Sequence, residues 1–342
     1  MVNFNNVEIV RAIMHQVSAK HGERAAEVTA SDHLLNLDED SKKIVRDRLS
    51  AAFARQSKAF ELEIEKDGAD SCFADIKSLR QTDNDNNRFI ELSVAIAQAL
   101  ADSQRQSRIP GGFLLVVHCK YDNKPLYVLI KAEPHEALGV TEMSVQSIKN
   151  IILSPEQKLY KAVYFEQKNA AAPGAELAKS DYRVVLFDSN VNSNNTIAQY
   201  FYQDFLGLSI SGNSQLQTAL FYQKMNESIW SELRGLEAVD ASDSLRVMVM
   251  NNDSVTINPH DVITTVIPLE HRDVFLDKIV EEFPQSFTRD TSLIDTRLEK
   301  KTITLSDNVK ITAPSLFFAE NVTVEEQEGE YVVKIRRNNG NA

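Results

Sequence analysis

The densest group of basic side chains in this sequence lies between residues 42 and 58. Six cations occur there with a single acid, Asp47; the cations are Lys42, Lys43, Arg46, Arg48, Arg55 and Lys58. On a helix of about 100° per residue, apolar positions 45, 49, 52, 53 and 60 gather on one side and most of the cations on the other. Clustered Lys and Arg side chains are what binding to a phosphate backbone requires. The stretch is therefore a candidate DNA-binding face, although a solvated helix surface has the same pattern.

A second candidate set of cations lies near the end of the sequence, among short β-prone segments. It comprises Lys300, Lys301, Arg336 and Arg337, with Lys310 between them. The whole sequence carries 49 acidic and 37 basic side chains, a formal charge of −12, and residues 211–342 hold 21 of the acids and 13 of the bases. This balance argues against a protein that coats nucleic acid by bulk attraction. A contact with DNA must therefore use a local basic face, such as one of these two sets.

Motifs for catalysis or for metal binding are missing from the sequence. No Gly-x-Gly-x-x-Gly, His-Glu-x-x-His or Gly-x-Ser-x-Gly segment occurs, and the glycines at 111 and 112 precede a predicted strand, where a phosphate loop would precede a helix. The seven histidines are scattered singly, and Cys72 and Cys119 lack metal-ligand spacing. His118 and Cys119 are adjacent on a strand and so point to opposite faces. We predict a protein that is not an enzyme and that uses no metal and no cofactor.

Hydrophobic periodicity divides the sequence into helices and strands. Helices are predicted over residues 41–60, 87–106, 196–208, 214–236 and 259–283, with Ser41 as the N-cap of the first. Strands are predicted over 7–19, 113–121, 126–131, 161–167 and 182–188, and again over 302–305, 309–312, 322–324 and 331–335. The strands at 113–121 and 126–131 form a predicted hairpin.

These elements predict an α+β fold with three regions. Residues 1–208 form an N-terminal domain with a mixed sheet and long helices, residues 209–285 a mostly helical region, and residues 286–342 a β-rich C-terminal region. The longest apolar stretch is residues 113–117, whereas a spanning helix needs about 20 residues. No secretory pattern is present, and the two cysteines fit a reducing compartment. We therefore expect a cytoplasmic protein without membrane association.

Several segments resemble one family over nearly the whole sequence. They are Ile-Pro-Gly-Gly-Phe-Leu-Leu-Val-Val at 109–117, Tyr-Val-Leu-Ile-Lys at 127–131 and Gln-Tyr-Phe-Tyr-Gln-Asp-Phe-Leu-Gly at 199–207. In their order and spacing they resemble the NdpA/YejK-type bacterial nucleoid-associated proteins. The resemblance implies a cytoplasmic protein of the nucleoid that binds DNA without sequence preference and without a cofactor. It implies no catalytic residues.

Two functions from different classes are consistent with the sequence. The first is a non-enzymatic protein that recognises the backbone of double-stranded DNA through a local basic face. The second is a scaffold of the nucleoid whose acidic C-terminal third docks a protein partner, so that its association with DNA is indirect. The sequence leaves the oligomeric state open.

Overall fold

The structure is a computed structural model, and the residues it describes are 2–82, 85–133, 135–141, 144–151, 159–172, 175–192, 195–250, 254–304, 309–327 and 330–336. The predicted α+β class is confirmed. The chain divides into two units, one comprising residues 1–191 and 197–213 and the other residues 192–196 and 214–342. The finer division into regions ending at residues 208 and 285 stays a prediction.

An eight-stranded sheet organises the first unit. Its strands are β1 (Glu8–Val17), β2 (Val28–Thr29), β3 (Ala59–Ile64), β4 (Gly112–Tyr121), β5 (Lys124–Ala132), β8 (Lys161–Gln167), β9 (Tyr182–Asp188) and β10 (Leu208–Ser209), while β6 (His135–Thr141) and β7 (Ser144–Ile151) pair separately. The order across the sheet is β10-β3-β9-β8-β5-β4-β1-β2. Every pairing within it is antiparallel, so the mixed sheet that we expected is wrong in this detail.

The predicted hairpin at the centre of the sheet is confirmed. Strands β4 and β5 pair from Phe113 with Ala132 to Tyr121 with Lys124, which leaves a two-residue turn. Asp122 and Asn123 fill that turn with φ values of 49° and 59°. Positive φ at both central positions is typical of the turn whose twist matches that of paired strands, and Asp and Asn tolerate this conformation well.

Helices cover both faces of the sheet. They are α1 (Glu39–Phe53), α2 (Cys72–Leu79) and α3 (Asn86–Ser103). The ring centroid of Phe53 in α1 lies 4.8 Å from that of Tyr164, whereas Phe73 in α2 lies 6.5 Å from Phe165. Because neighbouring residues of a strand point to opposite faces, α1 and α2 lie on opposite sides. Burial on both sides explains the continuous apolar runs of the central strands.

Two helices of the first unit differ from the prediction. The helix expected over 41–60 begins earlier, with Asp38 as its N-cap, and ends at Phe53. Residues from Ala59 onward alternate between buried and exposed positions and form β3, so Phe60 belongs to a strand and not to the helix. The helix expected over 196–208 is a short π-helical turn, Tyr200–Phe205. Gly207 follows that turn with φ +64°, in the left-handed conformation that glycine adopts most readily.

The second unit combines helices with two-stranded sheets. Its helices are α4 (Ser214–Glu232), α5 (Gly235–Met250), α6 (Pro259–Val266), α7 (Arg272–Phe275), α8 (Asp295–Leu298) and α9 (Ser315–Asn321), and its strands are β11 (Thr256–Ile257), β12 (Phe287–Thr288), β13 (Lys300–Thr304), β14 (Lys310–Pro314), β15 (Val322–Gln327) and β16 (Glu330–Ile335). Phe221, Phe283 and Phe287 form an aromatic cluster with ring centroids 5.5–5.9 Å apart.

The continuous helix expected over 259–283 is wrong. Helix α6 ends at Val266 and is followed by Pro268, which disfavours helical geometry in the residue before it. The chain resumes in a helical turn at Leu269–His271, in α7, and in a π-helical turn at Leu276–Val280. Nowhere in the described parts of the chain is a helix long and apolar enough to cross a membrane.

Candidate nucleic-acid interface

Acids close in sequence neutralise part of the basic stretch on α1. The Lys42 Nζ atom lies 2.8 Å from the Glu39 Oε1 atom, one turn away, and Lys43 Nζ lies 3.3 Å from Asp47 Oδ2. Lys58, which follows the helix, donates to the backbone oxygen of Ser189 at 2.5 Å. The stretch is therefore less positive at its surface than a count of its basic residues suggests.

Arg48 lies near the end of α1, and Arg55 follows in the turn after the helix. The pKa of Arg48 is lowered by its partial burial and by the positive charge of Arg55. Arg55 is exposed in the turn after the helix, and no carboxylate of the described residues lies within ion-pair distance of it. At 3.6 residues per turn, Arg46 lies about 200° around the helix from Arg48. The structure thus brings two of the predicted arginines together and turns the third away from them.

The predicted cations of the C-terminal region separate into two places. Lys300 and Lys301 lie on β13, and Lys310 lies on the paired strand β14. All three line one cavity. Arg336 is exposed just after β16 and is not among the cavity-lining residues, and Arg337 lies outside the described residues.

That cavity, which we call the cationic cavity, has a volume of about 540 Å³. Five basic side chains line it together with two acidic and two large aromatic ones; the basic ones are Arg246, Arg297, Lys300, Lys301 and Lys310, the acids Glu227 and Asp243, and the aromatics Tyr222 and Trp230. They come from α4, α5, α8, β13 and β14. Arg246 and Arg297 were not predicted from the sequence, because each is an isolated arginine in a helix with no local cluster to mark it.

Asp243 holds two of the cavity's cations in place. Its Oδ1 atom accepts hydrogen bonds from Nε and Nη2 of Arg246 at 2.9 and 2.8 Å, and its Oδ2 atom accepts from Lys301 Nζ at 2.7 Å. Partial burial raises the pKa of Asp243, but the hydrogen bonds from Lys301 and Arg246 outweigh it and leave the pKa below its ordinary value. Arg246 and Lys301 therefore have fixed positions and a carboxylate partner before any ligand arrives.

A family model described as nucleoid-associated protein YejK matches residues 13–326. The chain belongs to this family. The match spans most of the chain and confirms the resemblance inferred from the sequence. A nucleoid-associated role follows from the family, which is not known as a family of enzymes. A comparison with curated proteins finds no match.

In this family member, the segment at 199–207 that carries the resemblance has a structural contact. Lys131 on β5 donates from Nζ to the hydroxyl oxygen of Tyr200 at 3.0 Å and to the backbone oxygen of Pro110 at 2.9 Å. Burial lowers the pKa of Lys131 to about 8. On the neighbouring strands Lys161 and Asp188 form a buried ion pair with Nζ and Oδ2 2.7 Å apart. The contact between Lys131 and Tyr200 ties the π-helical turn to the sheet.

Metal-ligating side chains meet at one place among the residues whose positions are given. Glu237, Glu270 and His271 bring ligand atoms within 4.8 Å of one another. The His271 Nε2 atom lies 3.8 Å from the Glu237 Oε2 atom, and Glu270 is exposed. The sequence analysis treated His271 as isolated because Glu237 is distant in sequence. Cys119 and Cys72 are buried, and burial raises the pKa of both thiols.

Proposed function

We propose that this protein binds double-stranded DNA without sequence preference, as a non-enzymatic component of the cytoplasmic nucleoid. The contacting side chains are the partly buried Arg48 near the end of α1, the exposed Arg55 in the turn after it, and Lys43, which is exposed on α1. The observation that carries the proposal is that Arg48 and Arg55 lie about two helical turns apart at the end of α1 and that their charges act on one another. A phosphate that lies between two neighbouring guanidinium groups can accept hydrogen bonds from both.

The geometry of arginine favours this ligand. A guanidinium group presents its N–H donors in a planar fork that matches two oxygens of a phosphate. Partial burial of Arg48 strengthens its attraction to an anion, because less water screens its charge. Lys43 adds a third cation, since its ion pair with Asp47 is exposed and such pairs contribute little. The proposal gives no direct role to Lys42 or Lys58, whose amino groups are already bound.

A salt titration of duplex binding tests this proposal. We would measure fluorescence anisotropy of a labelled mixed-sequence duplex with the full-length protein at several salt concentrations. The logarithm of the association constant falls linearly with log salt, with a slope of about −0.9 per phosphate engaged. In the double variant Arg48→Gln/Arg55→Gln we expect weaker binding and a slope smaller in magnitude by about 2.

Lys42→Gln is the matched control, because Lys42 lies on the same helix but is paired with Glu39. It should leave the slope nearly unchanged. If the double variant binds with the wild-type slope, then this face is not the interface. If the wild-type protein does not bind the duplex even at low salt, direct DNA binding is wrong, and the alternative remains, in which the acidic C-terminal third docks a protein partner.

A further inference from the structure

We propose that the cationic cavity binds a free nucleoside polyphosphate, a ligand distinct from the DNA of the proposed function. The cavity is built from residues of the second unit, whereas Lys43, Arg48 and Arg55 belong to the first. Binding of a nucleotide in the cavity does not require that the protein binds DNA. The two proposals can therefore fail separately.

The first argument is the charge inside the cavity. Asp243 is bound to Arg246 and Lys301, so this group of three carries one net positive charge. Arg297 and the exposed Lys300 and Lys310 have no ion pair with any residue that the structure describes, and Glu227, also exposed, is the second acid of the lining. The formal charge of the described residues that line the cavity is therefore +3. A ligand with several negative charges matches it.

The second argument is that these cations lack carboxylate partners although the same part of the sequence is rich in acidic residues. Residues 211–342 contain 21 acids, of which several pair with other cations of the same unit, such as Glu232 with Lys278 and Glu325 with Lys334. Carboxylates were thus available to neutralise the cavity lining during folding. Keeping unpaired like charges together opposes folding, and a bound anion would offset that cost.

The third argument is the form of the site. A volume of about 540 Å³ lies in the range of small-ligand pockets, about 300–1,000 Å³, and a double helix does not fit into it. The Arg297 guanidinium lies over the Tyr222 ring, 4.9 Å from its centroid, which leaves the edge of the guanidinium for oxygen acceptors. Trp230 lines the same cavity and is half-buried. Cations for phosphates and an aromatic wall for a base together favour a nucleotide.

Trp230 also makes the proposal directly measurable, because it is the only tryptophan of the chain. We would titrate the full-length protein with ATP, with inorganic tripolyphosphate and with adenosine, and record tryptophan fluorescence at low salt. ATP should give a saturable change in emission, and tripolyphosphate should bind more weakly since it lacks the base. Adenosine, which has no phosphate, should give no saturable change.

The variant Arg297→Gln/Lys310→Gln should weaken ATP binding about 10-fold or more, because charge-assisted hydrogen bonds to phosphate are lost. Lys334→Gln is the control, since Lys334 is an exposed cation of the same unit that pairs with Glu325 and does not line the cavity. It should bind ATP as the wild type does. Circular dichroism checks that each variant is folded, and ATP-dependent protection of the wild type against thermal unfolding gives a second readout that does not need the tryptophan.

Three results would overturn the proposal. The first is the lack of saturable binding of ATP and tripolyphosphate to the wild type. The second is equal ATP affinity in the folded double variant. The third is binding of a short single-stranded oligonucleotide that changes the tryptophan emission, requires Arg297 and Lys310, and is not reversed by ATP. The cavity would then be part of a nucleic-acid surface. Duplex anisotropy with the same double variant reports on the proposed function separately.

Discussion

The two basic regions of this protein differ in where their neutralising acids lie. On α1 the cations lie within a few residues of one another in sequence, and acids three or four residues away pair with Lys42 and Lys43. In the cationic cavity the cations come from separate elements, and Asp243 holds two of them while three stay unpaired among the described residues. A dense run of Lys and Arg therefore overstates the surface charge, whereas scattered cations can converge. We base our predictions on this difference.

The largest expected effect is on duplex binding. Reversing both charges in Arg48→Glu/Arg55→Glu should lower duplex affinity about 100-fold, because two charge-assisted contacts are replaced by repulsion. Anisotropy at a single low salt concentration measures this change. The corresponding reversal in the cavity, Arg297→Glu/Lys310→Glu, should leave duplex affinity within about twofold of the wild type. A loss of similar size in both variants would contradict the distinction between the two regions.

Lys131 is a cation of a different kind, because it is buried in the sheet and its hydrogen-bond partners belong to the protein itself. Lys131 is bound to neutral oxygens, and burial lowers its pKa to about 8 from 10.5. Below pH 8 both the folded and the unfolded state bind its proton, so the folded state bears the full cost of burying the charge. As the pH rises from about 8 to 10.5 the folded state loses the proton first, and that cost disappears.

We therefore expect the wild type to gain about 2 kcal/mol of unfolding free energy relative to Lys131→Met between pH 7 and pH 10. Urea denaturation of both proteins at the two pH values measures the difference. Comparison with the variant cancels the titration of other lysines and tyrosines. A constant difference across this range would mean that Lys131 keeps its proton in the folded protein.

Removing the acid from the cavity should have a moderate effect on stability. In Asp243→Asn the side chains of Arg246 and Lys301 lose their carboxylate partner, and we expect a loss of about 1.5 kcal/mol in unfolding free energy. Because the cavity gains one positive charge, the affinity for ATP should rise. Urea denaturation and tryptophan fluorescence give the two values. Unchanged stability would show that Asp243 does not organise this site.

The matching change on α1 should have the smallest effect. Asp47→Asn removes one exposed ion pair with Lys43, which contributes a few tenths of a kcal/mol at most. Duplex affinity should nevertheless rise about twofold, because Lys43 becomes free to contact a phosphate. Anisotropy detects this gain at low salt, and it should vanish at high salt. Unchanged affinity at low salt would exclude Lys43 from the interface.

Where periodicity and turn chemistry agree, the sequence was sufficient to predict the elements. The strands at 161–167 and 182–188 have the predicted bounds, and the hairpin closes at Asp122 and Asn123. The helix predicted over 87–106 is observed at Asn86–Ser103. Predictions failed where the hydrophobic pattern of one segment changes from a helical to an alternating period, as at 41–60. They also failed where a proline divides a helix, as at Pro268.

The sequence by itself determined the α+β class, the central hairpin, the family and the two sets of candidate cations. These depend on neighbours within a few residues, on composition and on the order of segments, which are all visible along the chain. Only the tertiary structure decided which cations act together. It joined Lys300, Lys301 and Lys310 on β13 and β14 with Arg246 on α5, which is distant in sequence. Electrostatic interactions depend on distance in space, and residues more than 50 positions apart carry no mark in the sequence that they will meet.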